Sequence, residues 1–571
     1  MKLVVALVIA AALAVPAAAS AQGDPIMPLS QVQRGMHCNA LSVIHGTDIS
    51  SFDVEVLEVI TGDGGQDARI LVRVSGPAVD GTGIGPGFSG SPIYCADGDG
   101  VARNIGAISE GIGDYGNKVA LATPIEQMLD EPVTPPAAAR RDPALLRSAH
   151  RYALPLTFGG VSAPLASVIR RVAAHAGRTV LAGPAAPRDA SAPAPALQPG
   201  SAFSVGYSSG DLSSGAIGTV AYVDGDQLWG FGHPLDSVGR RDLFLQSAYV
   251  YDVVNNPLGI GDASSYKLAA PGQDVGTLLG DGINAVTGRV GALPDSFPMK
   301  VSALDQDTGR KVYLNSQIAD ETPVGNPSGA SAASGIAAIA AGEASYEVLR
   351  GSPSRQSGNL CLRITIQERA KPLGFCNTYV GGTPGQTGIV GSPMVSDVSQ
   401  AVTLLDDYQF ASLHVKAIDI DLRARRGLSQ AYLVGLNGPR VLRRGRTYSF
   451  TAQLRRIRGP KLTKTLRIRV SRGVRAGVHQ LVVHGTPSDT SGAPSDSELA
   501  IVLGLDSGST SDDPGSRSVA DLAHAIAKIH RYDGVTADFR GGRGLESSRR
   551  VFRDLNLRVS GTARYDVLIR P

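Results

Sequence analysis

Apolar and polar residues alternate with a period of two along most of this chain, the pattern of strands with one face on a core. The clearest run is Val54-Glu55-Val56-Leu57-Glu58-Val59, inside strand-like segments at 42–60 and 70–74 that a Gly-rich turn separates. A second Gly-rich turn leads to Ser89, followed by a strand at 105–109 and a short helix near 124–129. The Ala- and Pro-rich stretch 183–200 reads as a connection. Strand patterns resume at 218–223, pass through Leu228-Trp229-Gly230-Phe231, and continue with many glycines to about 318. Residues 330–349 read as a helix, too interrupted by Ser334, Gly335 and Gly342 to span a bilayer. Leu362-Arg363-Ile364-Thr365-Ile366 then alternates between two cysteines, as a hairpin strand would.

Beyond 411 the alternation continues through His414-Val415-Lys416-Ala417-Ile418-Asp419-Ile420, Tyr448-Ser449-Phe450-Thr451-Ala452 and Leu466-Arg467-Ile468-Arg469-Val470. With 479–483 these runs predict a small immunoglobulin-like β-sandwich over 411–487. Basic runs at 440–446 and 455–464 read as a solvated, charge-protected sheet edge in preference to an anion site. The Ser/Asp/Gly/Pro-rich stretch 488–518 reads as a loop, and 519–571 as a closing helix and strand. Upstream, the expected units are 22–150 around Ser89, a connection at 151–215, and a third unit at 216–410. The predicted fold class is mainly β.

Composition agrees with that class. The 571 residues include 69 glycines and 35 prolines, suiting turns and short strands, and 43% hydrophobic residues suffice for several cores. A net charge of +3 advertises neither nucleic-acid nor membrane-surface binding. Lys2, the short apolar run 3–15 and Ala19-Ser20-Ala21 read as a secretory signal peptide over 1–21, cut after Ala21. Four cysteines in an exported chain predict two disulfides. Of the three pairings four cysteines allow, the hairpin reading favours Cys361–Cys376, leaving Cys38–Cys95. No metal-ligand spacing or nucleotide-binding strand–helix context occurs, so neither a metal nor another cofactor is expected. The oligomeric state is not encoded in any pattern.

The sharpest local feature is Gly87-Phe88-Ser89-Gly90-Ser91-Pro92. A nucleophilic serine needs a tight turn that exposes its hydroxyl and aims backbone N–H groups at a developing oxyanion. Glycines on both sides permit such a turn, and the amides of Gly87 and Ser89 are the natural donors. The turn departs from a hydrolase elbow, since Ser91 stands where its second glycine would be. The base must be a histidine. His233, held between Gly232 and Pro234 after a strand, is the best placed; His45 is its rival and His37 is weaker.

These segments together resemble the SpoIVB-type serine peptidases, a chymotrypsin-like family. The matching residues are Phe52-Asp53-Val54-Glu55-Val56, Gly83-Ile84, Gly87 to Ile93, Ile105-Gly106-Ala107 and Thr123 to Leu129. A second cluster joins Ile217-Gly218-Thr219-Val220 to Gly230-Phe231-Gly232-His233, with a looser likeness over 271–291. The resemblance spans roughly half the chain and implies a double β-barrel, Ser89 as nucleophile and His233 as base. Gly83 at the expected pocket floor gives no acidic selector. Two departures stand out. The Ser89 segment precedes the His233 segment, the reverse of the family's order, so the chain would be permuted relative to the family or would pair its halves differently. The stretch Arg73-Val74-Ser75-Gly76-Pro77 lacks the family's aspartate; Asp80 is the nearest substitute, with Asp226, Asp236 and Asp53 as others. The expected function is an exported serine endopeptidase acting on a protein or peptide substrate, self-processing included. The alternative is an inactive peptidase-fold binding protein of the envelope.

Overall fold

The computed structural model describes residues 23–571 apart from 62–67, 113–116, 136–155, 176–179, 187–193, 256–264, 325–327, 382–392, 409, 486–515, 530, 542–543 and 555. The signal segment at 1–21 and nearly all of the loop read at 488–518 lie outside the described residues.

Strands β1 (His37–His45), β2 (Asp48–Ile60), β3 (Arg69–Ser75), β4 (Pro92–Ala96), β5 (Ala102–Gly111) and β6 (Val119–Pro124) close into a barrel in the order β1-β2-β3-β6-β5-β4. The period of two fills it: Phe52, Val54 and Val56 are buried while Asp53 and Glu58 face water. Cys38 and Cys95 are register partners on β1 and β4 and form the expected disulfide. Helix α1 (Ile125–Leu129) follows β6.

Next come β7 (Leu156–Gly159), α2 (Ala163–His175), β8 (Val180–Ala182), β9 (Ala202–Gly210), β10 (Ser213–Asp224), β11 (Gln227–Gly230), β12 (Gly239–Val254), β13 (Tyr266–Asp281) and β14 (Val286–Val290). All these strands belong to one thirteen-stranded sheet. Within it the pairings β9–β12, β12–β13, β13–β14, β14–β11, β11–β10 and β10–β9 return on themselves as a ring of six strands. Phe203, Val205, Val220, Leu228, Phe231, Phe244, Leu278 and Val286 fill that ring. Numbered in chain order within each ring, the strands of both follow one circuit, 1-2-3-6-5-4.

The sheet continues past β9 through β16 (Lys311–Ala319), β15 (Ser296–Asp305), β19 (Val415–Arg426), β17 (Gln356–Ile366) and β18 (Leu373–Gly381). Helices α2, α3 (Ser328–Val348) and α4 (Pro393–Asp406) share its core. Helix α3 is apolar around its circumference because it is buried, as Ile336 to Ala341 all are. Cys361 and Cys376 staple the β17–β18 hairpin, as expected. Strand β19, read from the sequence as the first strand of the small module, instead pairs with β15 and β17.

The C-terminal module has two sheets on one core. One is β23 (Lys461–Arg469), β22 (Thr447–Arg456), β20 (Gln430–Asn437) and β27 (Arg558–Ser560). The other is β21 (Val441–Arg443), β28 (Thr562–Arg570), β24 (Gly477–His484), β25 (Val535–Gly541) and β26 (Gly544–Phe552). It thus takes in the strands at 535–570, which the sequence set apart. The parallel pairs β20–β27 and β21–β28 depart from the antiparallel sheets of an immunoglobulin sandwich. Helix α5 (Val519–Ala527) inserts Leu522 and Ile526 into the large sheet's core and so ties the module to the body. Edge strand β23 turns Lys461, Arg467 and Arg469 to water, and of these Lys461 belongs to the basic run read at 455–464. Among the described residues no helix is long and apolar enough to cross a membrane.

Candidate functional site

Ser89 lies between β3 and β4, the third and fourth strands of the first ring. His233 lies between β11 and β12, the third and fourth strands of the second. Topologically equivalent turns therefore carry the two candidate residues, and the rings set them against each other.

The second ring holds the Ser89 turn by its carbonyls. Lys267 N–H donates to Pro86 O at 3.0 Å, Thr219 Oγ1 to Gly87 O at 2.9 Å, and Thr219 N–H to Ser89 O at 2.8 Å. A trans peptide points its N–H opposite its carbonyl, so anchoring Pro86 O on Lys267 turns the Gly87 N–H away from it. Among the described residues neither the Gly87 nor the Ser89 amide has an acceptor. Gly87 and Gly90 both take φ +94°, open to glycine at little strain. A Cβ on Gly90 would collide with the Thr219 carbonyl and the Phe231 backbone nitrogen. The glycines that flag this motif are thus required both by dihedral and by the second ring's approach.

The His233 turn packs on the same place. Phe231 and Gly232 take φ +65° and +71°, and the Phe231 ring stacks on the His233 ring at 5.8 Å. A Phe in that conformation is strained and is kept there by burial against Phe203. Gly232 abuts Ser109 and the carbonyls of Ala107 and Ile108, while Ile108 O accepts from Gly90 N–H. Thr123 Oγ1 donates to Gly232 O. His233 Nδ1 lies 2.7 Å from the Pro234 carbonyl, which makes Nδ1 the protonated nitrogen and Nε2 the basic one when the ring is neutral. Ser89 Oγ is fully buried, and among the described residues it has no hydrogen-bond partner, His233 included. The arrangement is a closed one.

Asp80 takes a different place from the orienting role expected of it. It pairs with Lys118 at 2.9 Å on the surface, and that ammonium holds its carboxyl below the usual carboxylate range. The acid at the His233 turn is Asp281, at the end of β13. Its carboxylate accepts from the N–H groups of Leu235, Asp236 and Val238 at 2.7, 2.8 and 3.2 Å. Burial pushes its pKa up against the pull of Arg241, 3.8 Å away. Arg241 is itself buried and bridges to Glu321 at 2.8 and 3.0 Å and to Asp236 at 3.0 Å. Sequence reasoning missed Asp281, since its partners lie more than forty residues upstream and no local pattern joins them.

Of the rival histidines, His45 Nδ1 bonds Tyr251 O at 2.8 Å, outside the Ser89 turn. Asp53 lies beside Gly76, and Asp226 pairs with Arg289 at 3.3 Å. Among the described residues no group of three His, Cys, Asp or Glu is arranged to hold a metal ion. No protein-family model and no curated protein matches the chain.

Proposed function

We propose that the chain is a serine endopeptidase of the double-barrel, chymotrypsin-like kind, similar to the SpoIVB-type enzymes with the two barrels in reversed chain order. One observation carries the reading: equivalent turns of two rings with the same strand circuit meet at the ring–ring seam, one bearing Ser89 with two open amides, the other bearing His233. In the reaction Ser89 Oγ attacks the scissile carbonyl of a protein or peptide while His233 Nε2 takes its proton. The Gly87 and Ser89 amides receive the oxyanion, His233 protonates the leaving amine, and water, activated by the same imidazole, hydrolyses the ester. Asp281 orients His233 through the backbone of 235–238. The two disulfides suit a protein exported to an oxidising compartment.

On this reading the seam must open before a substrate reaches the buried Ser89, as in enzymes gated by loop or domain motion. The same burial, and the absence of a Ser89–His233 bond, favour the second reading, a catalytically silent scaffold that binds a protein partner. Fluorophosphonate labelling of the mature chain, with the adduct mapped by tandem mass spectrometry, separates them. An adduct on Ser89 that is lost in His233→Ala supports the peptidase. A folded protein with no adduct on Ser89 supports the scaffold.

A further inference from the structure

Lys267 is the one lysine in the fully buried core of the described residues, and nothing in the Ser89–His233 reading uses its amine. Its Nζ lies 2.7 Å from Ser42 Oγ and 3.2 Å from Thr219 Oγ1, over the face of the Phe88 ring at 4.6 Å. Ser91 Oγ donates to Ser42 Oγ at 2.9 Å, and Thr219 Oγ1 stands 3.3 Å from the same oxygen. The elements packed on the amine are β1 through Ser42, β10 through Thr219 and the Gly87–Phe88 turn; among the described residues none presents a carboxylate to it. A buried ammonium without an anion is costly, and the Phe88 face offsets only part of that cost, whereas a neutral amine suits a cage of hydroxyls. Burial lowers the Lys267 pKa to about 7, so the neutral form is populated at physiological pH.

We propose that Ser42 and Lys267 form a second nucleophile–base pair at the ring–ring seam, a serine–lysine dyad able to take an acyl group from an ester or peptide carbonyl independently of Ser89 and His233. The neutral amine accepts the Ser42 hydroxyl proton as Oγ bonds to the carbonyl carbon, whose π pair moves to oxygen. Collapse of that oxyanion breaks the bond to the leaving alcohol or amine, which takes the proton back from the Lys267 ammonium. Water then adds to the Ser42 ester with Lys267 again as acceptor, returning the serine. The Ser91 hydroxyl, donating to Ser42 Oγ, occupies one of its lone pairs and leaves the Ser42 O–H to point at Nζ. Both nucleophiles share one seam, so the opening that exposes Ser89 exposes Ser42.

The test uses the full mature chain and an alkyl fluorophosphonate, with adduct sites mapped by tandem mass spectrometry from about pH 6 to about pH 9. In Ser89→Ala the adduct is expected on Ser42, forming faster as pH rises through neutrality. Its rate should fall roughly 100-fold in Lys267→Met. No Ser42 adduct at any pH in a folded Ser89→Ala chain overturns the proposal, as does one that persists in Lys267→Met. Should Lys267→Met not fold, the Ser42 pH profile with native Lys267 decides alone, and a flat profile contradicts the dyad. Adducts on Ser89 and on Ser42 are read separately, so either site can fail without the other.

Discussion

Thr219 N–H donates to the Ser89 carbonyl at 2.8 Å, while the same residue's hydroxyl holds Gly87 O at 2.9 Å. One residue of the second ring thus fixes the turn on the first from both sides of Phe88. Replacing it with Val removes the hydroxyl and leaves a buried carbonyl unpaired, a loss of about 1–3 kcal/mol. Thr219→Val is expected to lower both the urea midpoint and the rate of Ser89 labelling. Thr219→Ser, which keeps the hydroxyl, should restore most of the labelling; failure of that rescue would assign Thr219 a packing role alone.

Asp281 is expected to act on His233 through three backbone bonds. Asp281→Asn should slow Ser89 labelling on the order of 10²-fold, the scale of an ångström's misplacement of a catalytic group. Glu321→Gln serves as the control, since it weakens the same Arg241 cluster without touching the 235–238 amides. Equal losses of labelling in the two variants would show that Asp281 matters only for stability.

Lys267 should leave a signature in the pH dependence of stability. Its folded pKa, about 7, lies below its ordinary 10.5, so between these values the unfolded chain holds the proton and the folded chain does not. Stability therefore rises with pH across that window, by about 1.4 kcal/mol per unit at most. Below pH 7 both states are charged and the full penalty of burying the ammonium applies. Urea unfolding of native and Lys267→Met chains between about pH 7 and about pH 9 should show this slope lost in the variant. Parallel curves would mean that the amine stays charged when buried.

The two disulfides should differ in effect. Cys38–Cys95 joins residues 57 apart and Cys361–Cys376 residues 15 apart. Loop-closure entropy gives about 4 and about 3 kcal/mol respectively. The Cys38→Ala/Cys95→Ala chain should unfold at lower urea than Cys361→Ala/Cys376→Ala, with the larger loss of Ser89 labelling because β1 and β4 flank the site. The reverse order would show that the hairpin bridge carries strain relief or docking not visible in its loop length.

Local patterns in the sequence reach as far as local forces do. The alternation at 54–59 reports a strand because one face of it fills a barrel, and the Gly87–Gly90 turn is visible because only glycine tolerates its dihedrals and its neighbours. Cys361–Cys376 is readable because the pairing is a single hairpin. Ring closure through β9–β12 and β11–β14, the placing of β19 beside β15, and the joining of 535–570 to the C-terminal sheets are contacts between distant segments. So are Asp281 at the His233 turn and Lys267 against Ser42, which no spacing announces. Asp80 looked suitable because it was near Ser89 in the chain; Lys118 engages it instead.

The proposed chemistry stands or falls with Ser89 as a nucleophile served by His233. Fluorophosphonate labelling of the mature chain, quantified on the Ser89 side chain by tandem mass spectrometry, tests it most directly. The expected result is an adduct on Ser89 in the native chain that is lost in His233→Ala while the protein remains folded. An adduct on Ser89 that forms at the same rate without His233, or a folded native chain in which Ser89 stays unmodified, would contradict it.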